Sequence, residues 1–368
     1  MSTGRRALGL ILLVFGLTLL ATGPASRWLR AVELLQRLSG EHGAQPAPLV
    51  ERELFVPGRS GPIRARLYHL AGGDRRPGLV VAHGVHYQGI DERRLVPFAR
   101  ELARAGRVVL TPELSELADY RITRHGVDVI SDAVRWLANE RALVSSERVG
   151  LLGFSFAGGL GLVAAGQTEL AGKLEFATSV GGHHDLSRVL SFLLSDKVAT
   201  PRGLEARKAH EYGLVVLLYG ELDHFVEEPD RETLRDALRL WLHEDRRRAL
   251  ARASQRTTAS GERLFLLLQQ GRLLEVAPEL ERRLERRRDE LAALSPRGKL
   301  RDVGVPVYLL HGSADSVIPP SETEWAGLEL EGAPHRALVS PLLEHVSVSG
   351  TAGLYDQIEL VDFMSRLL

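Results

Sequence analysis

A serine at the end of an apolar run is the first residue of this chain whose type and position suggest chemistry. Residues 149–159 read VGLLGFSFAGG, and an apolar, helix-like run continues to residue 165. Ser155 therefore lies between a predicted strand and a predicted helix, with small residues on both sides. Small side chains are needed because a sharp strand-to-helix turn leaves little space and holds the serine hydroxyl above the sheet. Ala157 replaces the last glycine of the usual G-x-S-x-G pattern, and alanine is small enough to keep such a turn possible.

A serine hydroxyl is a weak nucleophile until a general base, an acid that orients the base, and donors for the oxyanion surround it. Near the C-terminus, the apolar run 305–310 leads into HGSADSVIP, which contains Asp315. A second apolar run precedes LLEHV, which contains His345. The order Ser155, Asp315, His345 differs from the orders found in the chymotrypsin and subtilisin folds.

A fourth motif lies upstream of the serine. The strand-like run 78–82 ends in HGVHYQG, which starts at His83. Each of the four motifs thus follows a predicted strand. In parallel sheets, functional residues collect beyond the carboxyl ends of the strands, so we expect these motifs to meet at one edge.

Taken together, the motifs resemble those of the α/β-hydrolase fold family, from about residue 50 to the end of the chain. The resemblance implies a triad in which Ser155 is the nucleophile, His345 the base and Asp315 the orienting acid. It also implies an oxyanion hole made by the backbone N–H groups of Val85 and Phe156. The expected activity is hydrolysis of carboxylic esters or related acyl compounds through an acyl-enzyme, with a small-molecule acyl substrate and without cofactor or metal.

Other residues compete for some of these roles. Asp223 follows a strand-like run, and Asp185 follows the predicted strand 176–180, so either is a possible orienting acid. His83 and His311 each precede a glycine and are expected to be structural turn residues. The adjacent histidines at 183 and 184 would point in opposite directions in an extended segment, which disfavours a shared metal ion. Tyr87 is a possible additional donor near the oxyanion loop.

The predicted elements give an α/β fold in which a mostly parallel sheet is covered by helices. Helical spacing is found at 93–105 and 127–137, between strand candidates, and this alternation is typical of parallel sheets. The predicted strands are 53–56, 63–68, 78–82, 107–110, 149–152, 176–180, 305–310 and 337–339.

More than 120 residues separate the strands at 176–180 and 305–310, and a structureless connection of that length is improbable. The interval is rich in helix-forming residues and is expected to form a helical cap over the site. One amphipathic helix is predicted over 278–294, with Leu280, Leu284, Leu291 and Leu294 on its apolar stripe. A second stripe comprises Leu234, Leu238, Trp241 and Leu242, and Trp241 is expected to pack within the cap.

Composition excludes several classes of function. The formal net charge is zero, which argues against a nucleic-acid partner bound through phosphates. The chain contains no cysteine, so disulfides, a cysteine nucleophile and thiolate metal sites are excluded.

The N-terminus contains an almost wholly apolar run over residues 7–21, preceded by Arg5 and Arg6. Its length suits either a short membrane helix or the core of a signal peptide. We expect an uncleaved anchor in the inner membrane with a periplasmic catalytic domain; secretion after cleavage is the alternative. The chain then divides into a membrane segment with a juxtamembrane helix (1–45), a core (46–184), a cap (185–300) and the rest of the core (301–368).

Two other functions remain open at this point. A peptidase or thioesterase would use the same triad, because the shape of the pocket and cap selects the leaving group. A non-catalytic protein of the same fold that binds a partner through its cap is the third interpretation, although such a protein has no chemical need for all three triad residues.

Overall fold

A computed structural model of the chain describes residues 23–39, 47–344, 347–348 and 353–368. The strands within these residues are β1 (Leu49–Gly58), β2 (Gly61–Leu70), β3 (Gly78–Ala82), β4 (Val108–Pro112), β5 (Val149–Phe154), β6 (Leu174–Val180), β7 (Lys197–Thr200), β8 (Gly203–Ala206), β9 (Val307–Gly312), β10 (His335–Ser340), β11 (Leu343–Glu344) and β12 (Ser347–Val348). The helices are α1 (Pro24–Leu38), α2 (Leu95–Arg104), α3 (Ser115–Ala118), α4 (Arg124–Asn139), α5 (Phe156–Ala165), α6 (Leu186–Ser195), α7 (Glu211–Glu221), α8 (Glu228–Leu242), α9 (Arg246–Ala253), α10 (Ala259–Gln269), α11 (Ala277–Arg286), α12 (Arg288–Ala293), α13 (Ser321–Glu329) and α14 (Leu354–Ser365).

Eight of the described strands form one sheet, in the order β1-β2-β4-β3-β5-β6-β9-β10. β2 pairs antiparallel with both β1 and β4, and the strands from β4 to β10 pair in parallel. Every residue of β3 and β4 is buried, as expected for central strands that are covered on both faces. All eight predicted strands are confirmed, with their ends shifted by a few residues.

Helices cover both faces of this sheet and divide the core in two. On one face, α4, α5 and α13 pack against strand residues such as Val80 and Leu151. On the other face, α1, α2 and α14 pack against Leu79, Leu152 and Phe176. The helices predicted at 93–105 and 127–137 correspond to α2 and α4. A doubly covered α/β sheet is therefore the frame that positions the site.

The interval between β6 and β9 consists mostly of helices, from α6 to α12, together with the hairpin β7–β8. The strand-like run before Asp223 is the helix α7, and Asp223 itself lies in a short 3-10 turn on the surface. On α8, Leu234, Leu238 and Leu242 are buried as predicted. Trp241 packs within the insertion, since the Arg246 guanidinium lies 4.7 Å from the centre of its ring.

The prediction of one helix over 278–294 was wrong. The chain forms α11 and α12 instead, and at Arg287 between them the backbone leaves the helical conformation with a ψ of 14°. The Arg287 guanidinium donates to Glu221 of α7 and to Glu290. The break in the helix thus coincides with an ion pair to a neighbouring helix.

The membrane segment predicted at residues 7–21 lies outside the described residues. No helix in the part of the chain that the structure describes is both long enough and apolar enough to cross a bilayer. α1, which sequence analysis grouped with that segment, packs against α2 and α14 and buries Ala31 and Leu34 in the core. The packed domain therefore begins at α1 rather than at β1.

Candidate active site

Ser155 occupies the strained turn that the sequence predicts between β5 and α5. Its φ of 53° and ψ of −133° lie in a region that residues other than glycine rarely adopt. Two hydrogen bonds hold the turn: the Ser155 amide donates to the Val180 carbonyl at 2.8 Å, and the Gly158 amide donates to the Ser155 carbonyl at 2.8 Å. Such backbone strain costs about 1–3 kcal/mol and persists where the surrounding structure enforces it, typically at functional sites.

Close backbone contacts explain the small residues around this serine. A Cβ on Gly153 would lie 2.3 Å from the Ala157 carbonyl oxygen, and one on Gly158 would lie 2.4 Å from Ser179 Oγ. Upstream, a Cβ on Gly84 would lie 3.1 Å from Ser155 Cβ. Ala157 is fully buried in the core, so its methyl group fits where the usual pattern has glycine. The turn needs glycine at 153 and 158, and it accepts alanine at 157.

Gly153→Ala is therefore expected to destabilise the fold by about 3 kcal/mol and to displace the serine, because overpacking against rigid backbone cannot be relieved locally. Gly161→Ala is the matched control on α5: its added methyl would find its nearest neighbour, Leu151, at 3.7 Å. That variant should gain up to about 1 kcal/mol from helix propensity. Thermal unfolding measures both, and equal unfolding temperatures for the two variants would contradict the steric argument.

The loop after β3 lies directly beside the serine. His83 is buried, accepts a hydrogen bond at Nε2 from the Leu114 amide (2.9 Å), and has its Nδ1 2.8 Å from the Gly84 carbonyl oxygen. Since Nε2 accepts, the proton is on Nδ1, and His83 is a structural turn residue as predicted. The N–H groups of Val85 and Phe156 have no acceptor among the described residues. Both amides are thus available as donors, and Phe156 begins α5, where the helix dipole favours negative charge.

Asp315 follows β9 and is buried and tightly held. Its Oδ1 accepts from the amides of Val317 (2.9 Å) and Ile318 (3.0 Å). His311 is fully buried beneath it: Nε2 lies 2.8 Å from the Ile318 carbonyl oxygen and 3.4 Å from Asp315 Oδ2. Nδ1 of His311 lies 2.9 Å from the Thr323 hydroxyl. His311 is thus structural, but it lies within β9 and not in a turn as predicted, and it supports the aspartate turn from below.

The structure gives both rival acids other partners. Asp185 caps the N-terminus of α6 and forms an ion pair with Arg297 at 2.8 Å. Asp223 is exposed on the inserted helices and pairs with Arg235. Of the three aspartates considered, Asp315 is the one that lines the cleft containing Ser155.

The adjacent histidines face different partners. Nε2 of His183 lies 3.0 Å from the Leu294 carbonyl oxygen, and Nε2 of His184 lies 2.7 Å from Glu329 Oε2. Burial lowers the pKa of both rings below the ordinary value. His183 also packs against the elbow helix, since a Cβ on Gly159 would lie 2.2 Å from its ring. These two side chains tie the insertion and α13 to the core.

His345, the predicted base, lies outside the described residues. Two positions earlier in the chain, Leu343 of β11 lines the same cleft as Ser155 and Asp315. The structure therefore brings the serine and the aspartate to one cleft and leaves the third triad residue as a prediction.

This cleft has a volume of about 1150 Å³ and lies between the sheet edge and the inserted helices. The insertion contributes His210, Tyr212 and His243 to its wall. Tyr87, considered above as a possible donor to the oxyanion loop, instead stacks on the His243 ring with centroids 3.9 Å apart. Burial lowers the pKa of His86 and of His243, so both rings are neutral at pH 7.

Tyr212 is a site residue that sequence analysis missed. Its hydroxyl donates to the Val85 carbonyl at 3.1 Å and so joins α7 to the loop beside Ser155. Burial raises the pKa of Tyr212, which keeps the phenol protonated and able to donate. No spacing in the sequence pairs two residues that lie 127 positions apart.

Neither a protein-family model nor a curated protein sequence matches this chain. Among solved structures, a hyperthermophilic esterase from the archaeon Pyrobaculum calidifontis is similar over 87% of this chain and 83% of its own, with 17% identity and a TM-score of 0.44. The 2,6-dihydroxy-pseudo-oxynicotine hydrolase is similar over 93% of this chain and 73% of its own, with 19% identity and a TM-score of 0.45. The acylaminoacyl peptidase of Pyrococcus horikoshii is similar over 88% of this chain, which covers 41% of that protein, with 13% identity and a TM-score of 0.46.

The order and direction of the strands describe the fold independently of these similarities. The sheet starts with two antiparallel strands and continues as a parallel sheet in which β3 lies between β4 and β5. In this arrangement the serine turn lies at the carboxyl end of a central strand. The helices between β6 and β9 form an insertion that covers this end. From this topology we conclude that the chain has an α/β-hydrolase fold.

Proposed function

We propose that this protein is a serine hydrolase that cleaves carboxylic esters or related acyl compounds through an acyl-enzyme. The observation that carries the proposal is the pairing, in one cleft, of a serine in a strained elbow with a buried aspartate whose carboxylate is fixed by two amides. An ordinary helix-capping serine has no need of either feature, since a relaxed extended backbone serves that role.

In the proposed mechanism, Ser155 Oγ attacks the carbonyl carbon while His345 takes the hydroxyl proton. Asp315 keeps the imidazole in the correct tautomer and stabilises its charged form. The tetrahedral intermediate then collapses: the bond to the leaving group breaks, and His345 gives its proton to that group. Water, deprotonated by the same histidine, attacks the acyl-enzyme and releases the carboxylic acid and free Ser155.

The amides of Val85 and Phe156 are the proposed oxyanion donors. They belong to the two segments that flank Ser155, the loop after β3 and the first turn of α5, and neither has another acceptor in the described residues. Each such donor contributes about 2.7–4 kcal/mol to transition-state stabilisation.

Labelling with a fluorophosphonate probe tests the proposal, since the probe forms a covalent bond only with an activated serine. We expect the full-length protein to be labelled, and peptide mapping to place the label on Ser155. Parallel assays with ester, thioester and peptide substrates then identify the leaving group. No labelling of the folded protein, or a label on another residue, would refute the proposal.

We further propose that residues 7–21 hold the enzyme in a membrane, with the catalytic domain in the periplasm. The support is an apolar run of 15 residues after two arginines. When cells that produce the 368-residue chain are fractionated, the protein should be found in the membrane fraction. It should also remain there during alkaline carbonate extraction. Recovery of a shortened, soluble chain would instead support signal cleavage.

A further inference from the structure

The cleft extends from Ser155 into the core on the sheet face that α1, α2 and α14 cover. This extension, here called the apolar arm, is lined by aliphatic side chains from the sheet and from these helices. Six of them are Leu35, Leu38, Leu152, Val180, Leu310 and Met364.

The arm begins at the nucleophile itself. Leu152 and Phe154 of β5 belong to the apolar cluster on this face, and the next residue is Ser155. Val180 ends β6, the strand next to β5, and is paired with Leu310 of β9; both belong to the same apolar cluster. Side chains alternate along a strand, so these residues form a continuous apolar surface beneath the serine.

The helices close the arm over a considerable length. Leu360 and Met364 both line it and lie one turn apart on α14, a distance of about 6 Å along the helix axis. Leu35 and Leu38 of α1, the helix that packs against α14, also line it. An arm of this length accommodates several methylene groups, whereas an acetyl group would leave most of it unfilled.

The polar wall of the cleft is on the other side. His210 and His243 belong to the insertion, and His86 to the loop after β3. The cleft thus presents two different surfaces to the two sides of a bound ester. Burying each methylene group in an apolar site contributes about 0.8 kcal/mol, so the apolar arm selects an aliphatic chain.

We propose that the apolar arm binds the acyl chain, and that the substrates are esters of aliphatic carboxylic acids of medium or greater length. This inference rests on the proposed function, because the chain must be joined to the carbonyl that Ser155 attacks. The arm is continuous with the part of the cleft beside the Ser155 hydroxyl. A group that fills the arm therefore ends beside that hydroxyl. The remaining part of the ester, the alcohol, faces the histidine side.

A series of p-nitrophenyl esters tests the substrate class in the full-length protein. From acetate through butanoate to octanoate, kcat/KM should rise by up to about fourfold for each added CH2 group. A second series, acetates of ethanol, butanol and octanol, should show a much weaker dependence on length. A flat acyl series, or a steeper dependence on the alcohol, would overturn the assignment of the arm to the acyl chain.

Leu35→Trp tests the location, because indole on this helix would fill the arm. We expect kcat/KM for octanoate to fall by about tenfold or more, while the value for acetate stays within about twofold. Leu29→Trp is the matched control: it adds the same side chain to α1 at a position that is 61% exposed, and it should alter neither value. Should Leu35→Trp misfold, Leu35→Ala enlarges the arm and should shift the preference to longer chains.

The outcomes separate the two proposals. A protein that neither reacts with fluorophosphonate nor hydrolyses acetate fails as a serine hydrolase. A protein that does both but shows no acyl preference, or keeps its preference in the Leu35 variants, remains a serine hydrolase whose arm is not the acyl site.

Discussion

Ser155→Ala is expected to lower kcat on an activated ester by about a million-fold, and to abolish fluorophosphonate labelling. The Ser155 Oγ atom forms the ester bond of the acyl-enzyme, and no other group in the proposed mechanism can replace it. KM should change little, because the Cβ atom of residue 155 and the strained turn around it remain. Steady-state kinetics with a p-nitrophenyl ester measures the effect, with a correction for uncatalysed hydrolysis.

Ser316→Ala provides the control, since Ser316 lines the same cleft and its carbonyl, not its hydroxyl, accepts the His210 amide. This variant should retain labelling and keep kcat within about twofold, as expected for a residue outside the machinery. Equal activity of wild type and Ser155→Ala would remove Ser155 from the mechanism and with it the proposed function.

Asp315→Asn is expected to lower kcat by about 10,000-fold with the fold intact. An amide at this position still has an oxygen that can accept from the Val317 and Ile318 amides, so the turn should persist. It cannot stabilise the imidazolium, and its N–H2 group favours the wrong histidine tautomer. The measurement is kcat for a p-nitrophenyl ester at pH 7.5, alongside thermal unfolding to confirm that the variant is folded.

The rival acids provide two controls of the same chemistry. Asp185→Asn keeps a good helix N-cap while losing the pair with Arg297, so stability should fall slightly and kcat should not. Asp223→Asn removes an exposed ion pair, which contributes at most about 1 kcal/mol. A large loss of kcat in either variant, with Asp315→Asn active, would transfer the orienting role away from Asp315.

The sheet could be predicted from the sequence because buried parallel strands are short apolar runs with clear ends. The turn at Ser155 could also be predicted, since glycines mark tight backbone contacts at 153 and 158. The role of His83 also followed from its position before a glycine. In each case a local pattern encodes a local geometry.

Features set by long-range contacts could not be read in this way. At the helix break, Arg287 pairs with Glu221, which lies on another helix 66 positions earlier. Tyr212 reaches the loop beside Ser155 only after the insertion folds back over the sheet. The apolar arm joins α1 to α14, from opposite ends of the chain, so no local pattern predicts it.

The position of α1 has a practical consequence for producing a soluble form of this protein. A truncation that starts at β1 would remove the apolar N-terminal run, but it would also expose the surfaces that Ala31 and Leu34 now cover. A chain that starts at Gly23 discards the same apolar run and retains the helix. The shorter version is expected to aggregate, whereas the version that keeps these residues is the suitable one for crystallisation and assay.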